Sequence, residues 1–397
     1  MRTRELFRHR KVICVVVRLA TRERAVALSL SAAFVTTPGT RGAMLKRRAG
    51  RHGVTSMHLF ERLATAYGAV DEQGFAQLQA SPLVLDVKPS GSFDLVAPQH
   101  GGAMQPVTPA AGPTWGLEAL GIPALWAQRL TGNGILVGHL DDGIDAAHPA
   151  LRDAVRAAVR IDHAGKPGTG QVPPGAHGTH TAGSIVGRRH QSAQVGVAPD
   201  AELVSACVVG DGDTVNQVLG GIEWALRKGT RVLSMSIGQR GFVEGYGHVI
   251  DEIRRNKCLP VIATGNTYVG STMSPANYEN ALSVGAVGQD GVVLLQSGSE
   301  VMRRRNDPMV PDLAGPGANI VSCIPGGRFG TDSGTSMATP HIAGLAALLM
   351  QDRPAATPEQ VEAAIFASCK IAPGNKPGRI GRGMPYGPAA LAALRAM

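Results

Sequence analysis

Four short stretches of this 397-residue chain hold side chains that could do chemistry. Leu140-Asp141-Asp142-Gly143 places an acid directly after an apolar run, holding a carboxylate where the chain leaves a sheet edge, although Asp-Gly is also an ordinary turn signal. His177-Gly178-Thr179-His180-Thr181-Ala182-Gly183 sets an imidazole among small residues suited to a close-packed helix. Its two histidines could be metal ligands, acid–base groups or core residues, but no Glu stands between them in the HExxH manner and no cysteine cluster is near. His180, one turn beyond His177, reads as a supporting or core residue. Gly334-Thr335-Ser336 opens a helix rich in Ala, Gly and Leu, and a hydroxyl there meets the positive end of the helix dipole and free backbone N–H groups. That setting suits a forming oxyanion, and it equally suits a plain N-cap. Pro340 places Ser336 near the helix start under either reading. Ala263-Thr264-Gly265-Asn266 ends another apolar run with an amide that could donate to developing negative charge or simply make a turn.

The elements that would position these residues alternate in type. Apolar runs at 135–140, 203–209, 232–237, 259–264 and 281–287 are hydrophobic on both strand faces, as in a sheet covered on each side. Between them, Val215, Val218, Leu219, Ile222 and Leu226 recur at helical spacing after Thr214, read as the N-cap. Further helices are expected over 248–255, over 335–350, and from Thr357-Pro358-Glu359-Gln360, an N-cap, first-turn proline and capping-box glutamine. The fold class is therefore α/β, a mainly parallel sheet flanked by helices, preceded by a small N-terminal segment. Such sheets carry their chemistry beyond the C-terminal ends of the strands, where Asp141 and Asn266 fall.

Residues 1–53 carry 13 Lys/Arg against two Asp/Glu, so the rest of the chain holds 26 basic against 28 acidic residues. The positive charge is a property of the first 53 residues, and the body offers no nucleic-acid-binding face. That segment is expected to be a basic leader or disordered tail. Its apolar stretch 25–35 has the length of a signal-peptide core, yet no clear small-x-small cleavage site follows. A start at Met44 or Met57 is the other reading, and secreted and cytoplasmic locations both stay open. Residues 54–113 should contain a helix through Leu59, Phe60, Leu63, Ala64 and Tyr67, a second near Phe75 to Leu78, a strand at Leu83-Val84-Leu85-Asp86-Val87, and a linker over 98–113. No apolar run reaches the ~18 residues of a membrane span. Five scattered cysteines with no CxxC pair are expected to be small buried side chains.

Taken together, DDGID, HGTHTAG, ATGN and GTSMATPH resemble the subtilisin-like serine proteases, over residues 114–397. The resemblance implies that Asp141, His177 and Ser336 are the catalytic triad and that Asn266 is the oxyanion donor. It implies a substrate strand at Ser236-Ile237-Gly238, with Gly265 and Met273 at the pocket for the residue preceding the cleaved bond. Met273 brings no acid there, so an apolar or medium-sized residue is expected, while Asp211 and Asp213 could border upstream subsites. Asp142 stands where relatives usually carry Ser or Thr, and a second carboxylate should raise the pKa of one acid and shift the pH optimum upward. Relatives often bind calcium through an Asp where this chain has Ala150, and through the loop that here reads Arg188-Arg189-His190-Gln191-Ser192-Ala193. Without carboxylates that tight calcium site is expected to be absent, and no other metal or cofactor is implied. The implied partners are a protein or peptide substrate and an autoinhibitory propeptide in cis over 54–113, a segment that also reads as a non-cleaved accessory domain or as disordered linker, on an enzyme expected to be monomeric. A maturation protease cutting a single precursor, or a non-catalytic peptide-binding homologue, are the alternative functions.

Overall fold

Within the basic N-terminal segment, Ile13–Leu19 forms a strand at the centre of a small sheet. The computed structural model describes residues 6–7, 12–35, 57–96, 104–190, 192–210, 213–304 and 307–397, and the chain divides into two units. The smaller comprises Met1–Ser92 and Val243–Glu252. In it β1 (Ile13–Leu19) lies between β3 (Thr65–Val70) and β4 (Val84–Pro89), with β2 (His58–Phe60) outside β3, and every pairing is antiparallel. Val15, Val16 and Val17 are fully buried, which explains why an apolar run survives inside so basic a stretch. The signal-like residues 25–35 instead form a short helix (Arg24–Leu28) and a 3-10 turn (Ser29–Ala33), whose Ala27, Leu30 and Ala33 join Phe34, Phe75 and Leu78 in this unit's core. The helix expected through Leu59 to Tyr67 is β2, a turn and β3. Its apolar residues satisfy a helical period, but the turn at 61–64 re-sets the phase and Ala64 takes a positive φ of 45°. The helix through Phe75 (Glu72–Ala80) and the strand near Leu83 to Val87 form as expected, and Asp71 caps the helix from Gly74 N–H. The alternative start Met44 lies outside the described residues.

In the larger unit, Phe93–Phe242 with Ile253–Met397, seven parallel strands form one sheet. They are β5 (Leu136–Asp141), β6 (Val155–Arg160), β7 (Glu202–Cys207), β8 (Val232–Met235), β9 (Leu259–Ala263), β10 (Leu282–Val287) and β11 (Leu313–Pro316). Their order is β11-β10-β9-β8-β5-β7-β6. From β5 the chain goes to the edge strand β6, returns to β7 between them, and then crosses to β8 on the other side of β5 and builds outward, so the direction of building reverses beside β5, where such sheets open a crevice at the strand C-terminal ends. Among the helices of this unit are α1 (Ala176–Val186), α2 (Thr214–Lys228), α3 (Thr335–Asp352) and α4 (Pro358–Ala367). The long apolar α3 is buried over nearly its whole length and lies across β5, β8, β9, β10 and β11, while α1 packs against α3, β5 and β7. The capping box of α4 is present with both bonds. For α2 the cap is Asp213 rather than Thr214, its carboxylate accepting from Asn216 N–H at 3.3 Å.

The stretch 98–113 is more than a linker. Residues 97–103 lie outside the described residues, but Gln105–Val107 pairs with Arg328–Asp332 and Gly112–Pro113 pairs with Ala193–Gln194. All five cysteines are free; Cys207, Cys258 and Cys323 are buried, and Cys14 and Cys369 are partly so. No helix among the described residues is long and apolar enough to cross a membrane.

Candidate active site

Asp141 is the last residue of β5 and His177 the second of α1, and the two meet at the switch point with His177 Nδ1 2.7 Å from Asp141 Oδ1. Asp141 is wholly buried, and each of its oxygens has a donor: Asp142 N–H at 2.8 Å joins the imidazole on Oδ1, and the Thr181 hydroxyl reaches Oδ2 at 3.1 Å. The start of α1 has no side-chain cap of its own, because its N-cap is Gly175. Asp142 fills that role from outside the helix, accepting Gly178 N–H at 2.8 Å. The fit leaves no room for side chains at either glycine. A Cβ on Gly175 would stand 2.0 Å from Asp142 Oδ1, and one on Gly178 2.0 Å from Gly143 O. The HGT motif is thus a close approach of helix to strand end.

Electrostatics tie the three groups together. Burial alone would raise the Asp141 pKa, but the facing imidazole of His177 with its hydrogen bond, and the nearby ring of His139, hold it well below the carboxylate range. Burial works the other way on His177, lowering its pKa, and Asp141 more than offsets this; with Asp142 and Asp332 adding to it, the imidazole rises to about 9. Asp142 itself is pushed up to about 6, first by burial and then by Asp141, the direction its position beside another acid suggests. His180 lies outside this cluster: its Nε2 meets Ile320 O at 2.9 Å, and burial lowers its pKa to about 3, so it is a neutral core residue.

Ser336 is the second residue of α3 and fully buried. Pro340 sits four residues later, inside the helix, and cannot donate to the Ser336 carbonyl as an ordinary residue would. The Ser236 hydroxyl takes that place at 3.1 Å, so this side chain braces the start of α3. Asn266 lies across from it. Its Oδ1 accepts Thr335 N–H at 3.0 Å, which fixes the carbonyl end of the amide toward α3 and makes Nδ2 the donor end. Gly334, at φ 156°, passes so close that a Cβ there would stand 2.8 Å from Asn266 Nδ2.

The cleft beside Ser336 holds a piece of the chain itself. Asp94–Leu95 runs antiparallel to Ile237–Arg240, with Leu95 opposite Ile237 and Asp94 opposite Gly238, and Val96 N–H donates to Ser236 O at 3.0 Å. The Ser336 hydroxyl donates to Val96 O at 2.7 Å, while the buried His177 Nε2 has no hydrogen-bond partner among the described residues. Val96 packs with Ala263 and Met273 in a small apolar cluster. Met273 fills the space beside Gly265 and Gly238: a Cβ on Gly265 would stand 2.6 Å from Met273 Cγ, and one on Gly238 3.0 Å from Met273 Cβ. Upstream, Phe93 is buried and its N–H donates to Thr214 Oγ1 at 2.9 Å. Asp213 is engaged as the α2 cap, and Asp211 lies outside the described residues.

The structure thus gathers Asp141 with His177, Ser336 with Asn266, and Ser236, Gly238, Gly265 and Met273 around Val96. Sequence reasoning missed Val96, because nothing in a sequence marks which residue of a connecting segment enters a cleft. It also missed His139, although a histidine inside an apolar run, two residues before Asp141 and therefore on the same strand face, was a visible signal. The Gln194 amide donates to Gly187 O at 2.7 Å and Gly196 O at 2.9 Å, Arg188 N–H takes Ala150 O at 2.8 Å, and the His190 ring stacks on Phe329.

Residues 132–383 match the model of the subtilase family. The chain is 35% identical to Subtilisin Savinase of Lederbergia lenta over 245 residues, covering 60% of this chain and 85% of that protein. It is 31% identical to Subtilisin E of Bacillus subtilis (strain 168) over 311 residues, covering 76% of this chain and 74% of the relative. M-protease of Shouchella clausii (strain KSM-K16) is 35% identical over 245 residues, and there the match spans 60% of the relative's length. With a matched region that takes in β5, α1, Asn266 and α3, the chain belongs to the subtilase family of subtilisin-like serine proteases.

Proposed function

We propose that this chain is a serine endopeptidase that works through an acyl-enzyme on Ser336, and that the bond after Val96 is its first substrate. The observation that carries this reading is the 2.7 Å contact between the Ser336 hydroxyl and the Val96 carbonyl, in a strand seated on Ser236–Gly238. The hydroxyl now donates to the carbonyl it would attack. Turned to the unpartnered His177 Nε2, it frees a lone pair for the Val96 carbonyl carbon and passes its proton to the imidazole. Asp141 holds the imidazole with Nδ1–H toward itself and stabilises the imidazolium. Asn266 Nδ2, assisted by the Ser336 backbone N–H, receives the oxyanion, a contribution of about 3 kcal/mol for a donor of this kind. His177 then returns the proton to the amine of Ala97 as the bond breaks. Water, activated by the same imidazole, releases Val96.

The smaller unit is continuous in sequence with the strand in the cleft, which supports reading it as a propeptide that inhibits in cis. It draws on residues of the basic segment as well as on 54–113. Met273 closes the pocket under Val96, so the residue preceding the cleaved bond is a small aliphatic one. The pairing of Gly187 O and Gly196 O by Gln194 supports a loop that needs no calcium.

Mass spectrometry of the purified wild type should give a form beginning at Ala97, whereas Ser336→Ala stays full length and takes no fluorophosphonate label; an active enzyme that keeps residues 93–96 would refute self-cleavage. In peptide libraries the wild type should favour Val or Ala before the scissile bond, and Met273→Ala should admit Leu and Phe at least roughly 10-fold better, the value of one or two buried methylenes; a wild-type preference for Arg would overturn the pocket. Because His177 must be neutral to accept a proton, kcat/KM should rise with pH along a limb set by an imidazole lifted to about 9. Asp142→Asn keeps an acceptor for Gly178 N–H but removes a negative charge, so that limb should move to lower pH, and a limb that stays in place would show that Asp142 acts only as a cap. Finally, EDTA should leave the melting temperature unchanged while Gln194→Ala lowers it; a large drop on chelation would mean that the loop binds calcium after all.

A further inference from the structure

Behind the Asp141–His177 pair lies a line of buried polar groups to which the acyl-enzyme mechanism gives no part. His139, Thr181 and Ser205 are each no more than 1% exposed. His139 Nδ1 is 2.9 Å from Ser205 Oγ, His139 Nε2 is 2.9 Å from Thr181 Oγ1, and Thr181 Oγ1 is 3.1 Å from Asp141 Oδ2. The secondary structure dictates this line. His139 and Asp141 share one face of β5, Ser205 is the register partner of His139 on β7, and Thr181 lies one turn beyond His177 on α1.

The carboxylate decides the direction of the hydrogen bonds. His139 Nε2 is 3.6 Å from Asp141 Oδ2, so a lone pair there would face a negative oxygen, and the stable arrangement puts a proton on Nε2. Nε2–H then donates to Thr181 Oγ1. The single Thr181 proton has three acceptors in range, Asp141 Oδ2 and the His177 and Gly178 carbonyls at 3.1 and 3.2 Å. An oxygen already accepting from an imidazole is a stronger donor toward the charged acceptor, and the Ser205 hydroxyl completes the line by donating to Nδ1. Every proton in the line points toward Asp141.

We propose that His139 is a positioning residue for the reaction, acting through Thr181 to keep a donor on Asp141 Oδ2 and so to tune how strongly Asp141 holds the His177 proton. The proposal rests on the reading of His177 as general base. Donors on Oδ2 disperse the carboxylate charge; without them Asp141 holds the imidazolium more tightly, and the His177 pKa rises. The other titratable groups around the pair are Asp142 after β5, His180 on α1, Cys207 on β7 and Asp332 before α3. Substitutions at 139 and 181 leave all of them in place.

The test compares His139→Leu, Thr181→Val, the double variant and His139→Gln, whose amide can donate to Thr181 from the position of Nε2. The pKa of His177 is read twice, from the acid limb of kcat/KM and from the ring-proton resonances of His177 in a Ser336→Ala background. Each single variant should move that pKa upward by about half a unit or more, an effect of the order of one altered charge-assisted hydrogen bond. KM should stay unchanged, the double variant should move no further than either single one, and His139→Gln should return toward the wild type. An unmoved or lowered pKa in Thr181→Val, or additive shifts in the double variant, would overturn the proposal. Should His139→Leu fail to fold, Thr181→Val and His139→Gln decide it alone. A wild type that hydrolyses no peptide would defeat the peptidase reading, while the resonance titration would still judge the line of donors.

Discussion

A carboxylate with no exposed surface, bonded at 2.7 Å to an imidazole that is itself buried, is the arrangement on which the rest of this site depends. An ionised acid withdrawn from water costs several kcal/mol unless its lone pairs are met, and removing one partner of such a pair is more damaging than never having built it. The surroundings of Asp141 obey that constraint. Oδ1 takes the imidazole and a backbone N–H, Oδ2 takes a threonine hydroxyl, and the strand that carries the acid is buried along its whole length. Gly175 and the glycine of HGT, Gly178, obey it as well, since α1 can bring His177 to the end of β5 only if they leave space for Asp142 and Gly143.

The helix that carries Ser336 shows the same economy. A proline inside α3 leaves the Ser336 carbonyl without its helical partner, and a serine from the neighbouring strand end supplies one. Thr335 does two things at once: its backbone N–H fixes the orientation of Asn266, and its hydroxyl accepts Gly265 N–H at 3.2 Å. The amide that would meet an oxyanion is therefore set before any substrate arrives, which is where such a donor gains its advantage over water. Backbone pairing to Ser236–Gly238 orients the Asp94–Val96 segment without regard to its side chains, and the Val96 side chain packs on Met273.

Much of the fold and site is readable in the chain because two periodicities and four motifs agree. The five apolar runs are strands with ends shifted by only a residue or two, and the Thr357 capping box forms where its spacing places it. The N-terminal departures have a common physical source. Charge across residues 1–53 suggests disorder, yet β1 is seven residues long, with its valines buried and its flanks basic, and a short strand needs only its inward face to be apolar. Likewise Leu59, Phe60, Leu63, Ala64 and Tyr67 fit a helix until a turn divides them, and a period cannot reveal a reversal within one cycle of itself. The cap of α2 falls one residue earlier than its sequence suggests because Asp213 and Thr214 are both good caps, and Thr214 is occupied by Phe93.

The strand β5 shows how a broken rule can be informative. A central parallel strand should read as continuous hydrophobic residues, and five of its six positions can be excused as apolar, small or, for Asp141, paired with His177 at the strand end. His139 cannot. An unpaired imidazole in that place would be a liability worth several kcal/mol, so its presence requires partners on the neighbouring strand and the overlying helix, and Ser205 and Thr181 stand where apolar residues would pack more simply. Three polar residues from three separate elements, each unfavourable alone, become acceptable only together, and the line they form runs on to Asp141. Local conflict with the fold's preferences, resolved by contacts that converge on the Asp141–His177 pair, marks this part of the sheet off from its scaffold.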